Sequence, residues 1–299
     1  MARIALKVDV DTLRGTREGV PNLARILDRA RARATFLFSL GPDHTGWALR
    51  RVFRPGFLKK VSRTSVVEHY GIKTLMYGVL LPGPDIGRRA AAQMRAIRNA
   101  GFECGIHTWD HVLWHDRVRE RDREWTVEQM THSYRRYAEV FGAPPATHGA
   151  AGWQMNEHAF EQIDTWGMRY ASDGRGRGPY RPCVRGEPLR HVQLPTTLPT
   201  FDEVLGVEGI DESSIADKLL SLTLDGRDHV FTLHAELEGQ KLAPAFERLL
   251  EGWRAQGHQL VALADYHATL DLSRIPNADI AWGEVPGRSG ELIVQPLEG

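Results

Sequence analysis

The sequence predicts an α/β protein closed as a parallel barrel, and two observations carry that expectation. Strand-like apolar runs alternate with segments of helical spacing from end to end, roughly seven βα units, which favours a barrel over an open sheet. Acidic and imidazole residues fall at the C-terminal ends of those runs, where such barrels place their chemistry.

The opening run Ile4-Ala5-Leu6-Lys7-Val8 reads as a strand delivering Asp9-Val10-Asp11 at its end. Val20, Leu23, Ile26, Leu27 and Ala30 have helical spacing with Pro21 near the start, and Ala34 to Phe38 reads as a second strand. A helix is expected over 85–100, ended by Gly101, before the strand Phe102-Glu103-Cys104-Gly105-Ile106 that delivers His107. Thr126-Val127-Glu128-Gln129 resembles a capping box for a helix running to about Phe141, where Gly142-Ala143-Pro144-Pro145 stops it. A strand should end near Gly149, followed by a helix over 156–166 and the run 168–171 leading to Ser172-Asp173. An extended segment over 191–198, a helix over 211–224, the buried strand His229 to His234, a helix over 244–255 and a strand over 259–263 complete the series. The barrel is expected over 1–270, with 271–299 as a C-terminal extension that shows no readable chemistry.

Composition narrows the function. The 38 basic residues match 38 acidic ones, so nothing in the balance suggests a nucleic-acid partner, and 42% hydrophobic with 25% charged residues is ordinary for a soluble globular protein. Met1-Ala2-Arg3 runs straight into a strand with no secretory apolar stretch, and no window reaches the ~18 apolar residues of a membrane span. Two cysteines, Cys104 and Cys183, argue against a disulfide framework and fit a reducing compartment. Cytoplasmic location is the expectation, with oligomeric state left open.

Two polar clusters carry chemistry: Asp9-Val10-Asp11, and His107-Thr108-Trp109-Asp110-His111. Together they supply a carboxylate and two imidazoles, a ligand set for one divalent metal that leaves a position open to water and substrate. Strand alternation puts Asp9 and Asp11 on one face, so one can bind metal while the other acts as acid or base, and the sequence leaves open which. With 13 His in 299 residues the His-x-x-x-His spacing arises by chance about 0.6 times, and His111 and His115 repeat it, so the combination carries the signal. Two nitrogens and one oxygen accept Zn, Mn, Co or Ni with different preferences, and the sequence leaves the metal open.

With these motifs, the chain resembles the polysaccharide deacetylase (NodB homology) family of metal-dependent amide hydrolases, and within it the branch that deformylates a lipid-linked amino sugar. The likeness rests on Val8-Asp9-Val10-Asp11-Thr12, Arg14-Gly15-Thr16-Arg17-Glu18-Gly19-Val20-Pro21, Trp109-Asp110-His111, Ala150-Ala151-Gly152-Trp153, Ser172-Asp173 with Arg175-Gly176, Leu194-Pro195 with Thr197-Leu198-Pro199-Thr200, and His234-Ala235-Glu236. The resemblance implies a distorted (β/α)7 barrel, with Asp9 as general base, Asp11, His107 and His111 as metal ligands, His234 as general acid and Asp173 as the carboxylate orienting that histidine. It further implies an undecaprenyl-phosphate-linked 4-deoxy-4-formamido-L-arabinose substrate and a 4-amino product used in lipid A modification and resistance to cationic peptides. Two departures stand out. Val10 separates acids that the family usually pairs directly, and the family's base-tuning arginine is missing from His148-Gly149-Ala150-Ala151-Gly152-Trp153. Arg175 is the candidate substitute, an exposed loop arginine the alternative. Trp153 and the 194–199 segment are expected either to line the cleft or to pack in the core.

Positions 42–84 break the βα rhythm as an insertion after the second strand. Arg50, Arg51, Arg54, Lys59, Lys60, Arg63 and Lys73, with Trp47, Phe53, Phe57, Tyr70 and Tyr77, give it the composition of a segment lying on an anionic membrane, with a structural lid as the alternative. Peripheral attachment to the inner membrane is therefore expected. Competing readings are an N-deacetylase of glycan sugars and an inactive carbohydrate- or lipid-binding barrel.

Overall fold

The computed structural model describes residues 2–48 and 71–296. Strand β1 (Arg3–Val10) pairs in parallel with β2 (Thr35–Ser39), and β2 with β3 (Glu103–Thr108). Beyond β3 the wall continues through short links. Ile106 donates to Thr147 O and accepts from Gly149 N, Ser172 N donates to His148 O, and β4 (Tyr170–Ala171) follows. The chain makes an outer hairpin of β5 (Arg181–Val184) and β6 (Glu187–Pro188) before returning as β7 (Val192–Gln193), parallel to β4. Thr197 N then donates to Val230 O of β8 (His229–His234), which pairs with β1 from Ile4 to Asp9 and closes the ring. The expected distorted (β/α)7 barrel is the observed fold, its staves being β1, β2, β3, the 147–149 segment, β4, β7 and β8. Strand β9 (Gln259–Val261) adds to β1 at Arg3 to Ala5.

Period-two alternation sorts the barrel residues. Ile4, Leu6, Val8, Phe36, Phe38, Phe231 and Leu233 pack in one large buried cluster with helix residues such as Leu23, Leu27, Phe246 and Leu249, each such burial contributing about 1.5–3 kcal/mol. Ala5, Lys7 and Asp9 take the other face of β1, inside the barrel, where Ala5 packs with Val192, Leu194 and Val230. Cys104 is a small buried residue of β3.

Local signals moved some boundaries. The long helix spans Arg123–Phe141, because Asp122 accepts from Trp125 N and caps it one turn before Thr126. The helix expected over 85–100 is two, Ile86–Arg89 and Ala91–Asn99, broken at Ala90, whose φ of −125° is not helical. The helix expected over 211–224 spans Ile215–Ser221. The C-terminal residues lie on the barrel: β10 (Asn277–Asp279) pairs with β5, β11 (Ala281–Glu284) with β12 (Glu291–Val294), and Arg175 N donates to the O of buried Ile293. No helix among the described residues is long and apolar enough to cross a membrane.

Candidate metal centre

His107 lies on the inner face of β3, and two residues past that strand Asp110 caps the helix His111–Arg117 by accepting from Leu113 N. His111 is thus the first residue of its helix and stands beside the end of β3. Asp11, just beyond β1, completes the group: its Oδ1 lies 3.2 Å from Nε2 of His107 and 3.4 Å from Nε2 of His111. The three ligand atoms lie within 4.8 Å of one another. Nδ1 of His107 is 2.6 Å from Gly149 O, a contact that needs a donated proton, which turns the Nε2 lone pair toward Asp11.

The donor set fits a cation. Oδ1 of Asp11 is buried with no hydrogen-bond partner, and lone pairs converging on it repel one another unless a positive charge stands between them. Burial works to raise the Asp11 carboxyl, but the imidazoles of His111, His107 and His234 together hold it well below the usual carboxylate range. Burial likewise opposes protonation of His107, yet Asp9 and Asp11 draw its titration upward.

Asp9 and His234 flank the cluster. They are register partners across β1 and β8, and His234 is close enough to contribute to the field on Asp11. Oδ1 of Asp9 stands 3.8 Å from Nδ1 of His107 and has no hydrogen-bond partner.

Comparison with known proteins places the chain in a family. A protein of Shewanella sediminis named a probable 4-deoxy-4-formamido-L-arabinose-phosphoundecaprenol deformylase, ArnD, is 34% identical over 297 residues, covering 99% of this chain and 95% of its own. The Wigglesworthia glossinidia brevipalpis protein of the same name is 30% identical over 284 residues, covering 94% of this chain and 98% of its own. The chain belongs to the ArnD deformylase family. Among solved structures, one from Mycobacterium smegmatis described as a polysaccharide deacetylase superposes with TM-score 0.64 over 95% of each chain at 17% identity, which establishes the shared fold. No family model matches the chain.

Two sequence expectations change. Asp173 does not orient His234: its Oδ1 lies 2.6 Å from Nδ1 of His148 and its Oδ2 accepts from Gln193 at 2.7 Å, while Nδ1 of His234 has no partner. The two lie on different staves, and the nearer imidazole takes the carboxylate. Arg175 is neither an exposed loop residue nor a partner of Asp9. It is buried, paired with Glu203, donates to Leu198 O and lies over the Trp153 ring. Trp153 is itself fully buried, its Nε1 donating to Thr196 Oγ1, and Leu194 and Leu198 are core residues, so packing rather than sugar stacking describes them.

In this ArnD-family chain, three residues that the sequence reading passed over support the centre. Lys7, fully buried, places Nζ 3.3 Å from Oδ2 of Asp9. Its signal was a charge inside an apolar strand, two residues before Asp9 and on the same face. Gly149 gives His107 its acceptor, and a Cβ there would stand 2.3 Å from Leu37 and 2.9 Å from Lys7, so a larger residue would push both side chains aside. Glu236 gathers the loop after β1 on one oxygen, Oε1 accepting from Asp11 N, Thr12 N and Thr12 Oγ1. Burial and the neighbouring Asp11 raise its carboxyl well above the ordinary range.

Proposed function

We propose that the chain is a metal-dependent deformylase acting on undecaprenyl-phosphate-linked 4-deoxy-4-formamido-L-arabinose, releasing formate and a 4-amino sugar lipid suited to lipid A modification. The observation that carries this reading is the Asp11, His107 and His111 cluster flanked by Asp9 and His234, with Oδ1 of Asp9, Oδ1 of Asp11 and Nδ1 of His234 buried and lacking a hydrogen-bond partner. Asp11, His107 and His111 would hold one divalent cation, whose identity among Zn, Mn, Co and Ni stays open. When bound, the cation supplies Lewis acidity that polarises the formyl carbonyl and makes water a usable nucleophile near neutral pH.

The chain's own groups handle the protons. Oδ1 of Asp9 takes the proton of the attacking water. His234 delivers one to the sugar nitrogen, since an amine leaves poorly as an anion. Incubating the purified protein with the formylated lipid-linked sugar, with and without chelator, should show metal-dependent formate release. Faster acetate release from the N-acetyl analogue would favour the glycan deacetylase reading, and absence of any release the inactive binding barrel. Discrimination by one methyl through shape alone is on the order of 1–3 kcal/mol.

Membrane attachment belongs to the same reading. Of the basic and aromatic insertion, Arg50, Arg51, Arg54, Lys59, Lys60, Arg63, Phe53, Phe57 and Tyr70 lie outside the described residues. Its described edge exposes Ile72 at 68%, Val79 at 53% and Leu80 at 74%, beside Lys73, a surface suited to an anionic bilayer where the lipid-linked sugar sits. Co-sedimentation with vesicles of anionic lipid should fall as salt rises, and salt-independent or absent binding would leave the insertion as a lid.

A further inference from the structure

We propose that Lys7 is the positioning residue of the catalytic base: its ammonium holds Oδ2 of Asp9 so that Oδ1 alone faces the water that must be deprotonated. The inference rests on the reading of Asp9 as base and adds the device that aims it.

An ammonium enclosed in a barrel between Leu6 and Val8 is unfavourable unless it is paired and hydrogen-bonded. Lys7 is fully buried and makes both kinds of contact, an ion pair at 3.3 Å with Oδ2 of Asp9 and a hydrogen bond at 3.0 Å to Ser172 O. The face of Trp153 lies 5.4 Å from Nζ, and Gly149 leaves the space its chain occupies. These contacts come from β1 itself, the 149–153 segment and the end of β4, so Nζ has little freedom to turn away. The pair is one-sided. Oδ2 is engaged, while Oδ1, 3.8 Å from His107, has no hydrogen-bond partner. A pair serving packing alone would satisfy both oxygens, as Asp173 does with His148 and Gln193. Arg175, which also lies against the Trp153 ring, is committed to Glu203.

Lys7→Met, close in length and uncharged, is the decisive variant, measured beside Asp9→Asn and the double variant on the formylated lipid-linked sugar, with metal content and thermal melting followed in parallel. The expected result is a kcat lower by about 10²-fold with KM and metal content retained, since aimed proton transfer is worth about 10²–10⁴-fold. In the Asp9→Asn background Lys7→Met should add no further loss, because it acts through the missing carboxylate. Melting should show the same coupling without any turnover: Lys7→Met strands the Asp9 charge, and the double variant, lacking both charges, should recover stability. A fully active Lys7→Met beside an inactive Asp9→Asn would overturn the role of Lys7 and leave Asp9 as base. A fully active Asp9→Asn would instead overturn the base on which the proposal rests. Multiplying losses, or a double variant that fails to fold along with Lys7→Met, would make Lys7 a packing residue and end the proposal.

Discussion

Two buried groups of acids and imidazoles occupy this barrel, and they differ in what they leave unsatisfied. On the wall that includes β4 and β7, Asp164, His191, Gln193, Asp173 and His148 form a chain of contacts, with His148 to Asp173 at 2.6 Å, Gln193 to Asp173 at 2.7 Å and His191 to Asp164 at 3.4 Å. None of these residues has a buried side-chain atom without a partner. At the ends of β1, β3 and β8 the same residue types leave Oδ1 of Asp9, Oδ1 of Asp11 and Nδ1 of His234 buried and unpartnered. Since an unpaired buried polar group is destabilising by about 1–3 kcal/mol, the first network holds the wall together while the second carries the unsatisfied atoms that the proposed cation and substrate would meet. Residue type at a strand end does not by itself mark a site.

The largest effect that could break this contrast is loss of His107. Its Nε2 faces Asp11 and its Nδ1 is tied to Gly149, so His107→Ala removes a ligand and the anchor that aims it. Metal content measured on the purified variant should fall to background, and formate release with it, while the fold survives by circular dichroism. Metal and activity both retained in His107→Ala would remove the site.

Asp173→Asn should show the opposite profile. It breaks a fully buried pair, at about 3–5 kcal/mol, yet leaves the metal-binding groups in place. Thermal melting should drop and metal content of the folded fraction should hold; lost metal with unchanged melting would return Asp173 to the catalytic group. The pair also sets a pH dependence. Burial works to raise the Asp173 carboxyl, but His148 and Gln193 outweigh it and hold the folded group below its ordinary value. Its contribution to stability is therefore complete above the unfolded value of about 4 and is lost as pH falls through the folded one. Wild type should lose stability between pH 5 and lower values more steeply than Asp173→Asn, and parallel curves would deny the linkage.

Much of this was legible in the chain. β1, β3 and β8 are long enough for period-two alternation to show, and their ends delivered Asp9, Asp11, His107 and His234 at the barrel mouth. That His107 and His111 come together was readable because they are local to one strand end, and Asp11 joins them from the end of β1. What escaped was made by distance or by brevity. His148 and Asp173 meet across 25 residues, so Asp173 was matched to the wrong histidine. The 147–149 stave and the two-residue strands β4 and β7 are too short for any period to appear, so only their places, near Gly149, in 168–171 and in 191–198, are marked in the chain. Asp122 outcompeted Thr126 as a cap because a carboxylate one turn earlier already met the helix start. Lys7 lies in plain view in the opening strand, but nothing in the chain assigns it a role, since only the closed ring turns that face of β1 inward.

The smallest expected effect sharpens the contrast inside the site itself. Asp11 and Glu236 are adjacent buried acids driven in opposite directions, Asp11 well below the usual range by its imidazoles and Glu236 well above it by burial and by Asp11. Of the two, Asp11 is the one that holds its charge more firmly. Oε1 of Glu236 gathers Asp11 N, Thr12 N and Thr12 Oγ1, a task an amide oxygen performs equally well. Glu236→Gln should leave metal content unchanged and shift kcat by less than about 3-fold, under 1 kcal/mol of barrier, whereas Asp11→Asn should lose the metal. A Glu236→Gln variant that loses metal as completely as Asp11→Asn would show that the second carboxylate carries charge to the cation and that the centre has four protein ligands rather than three.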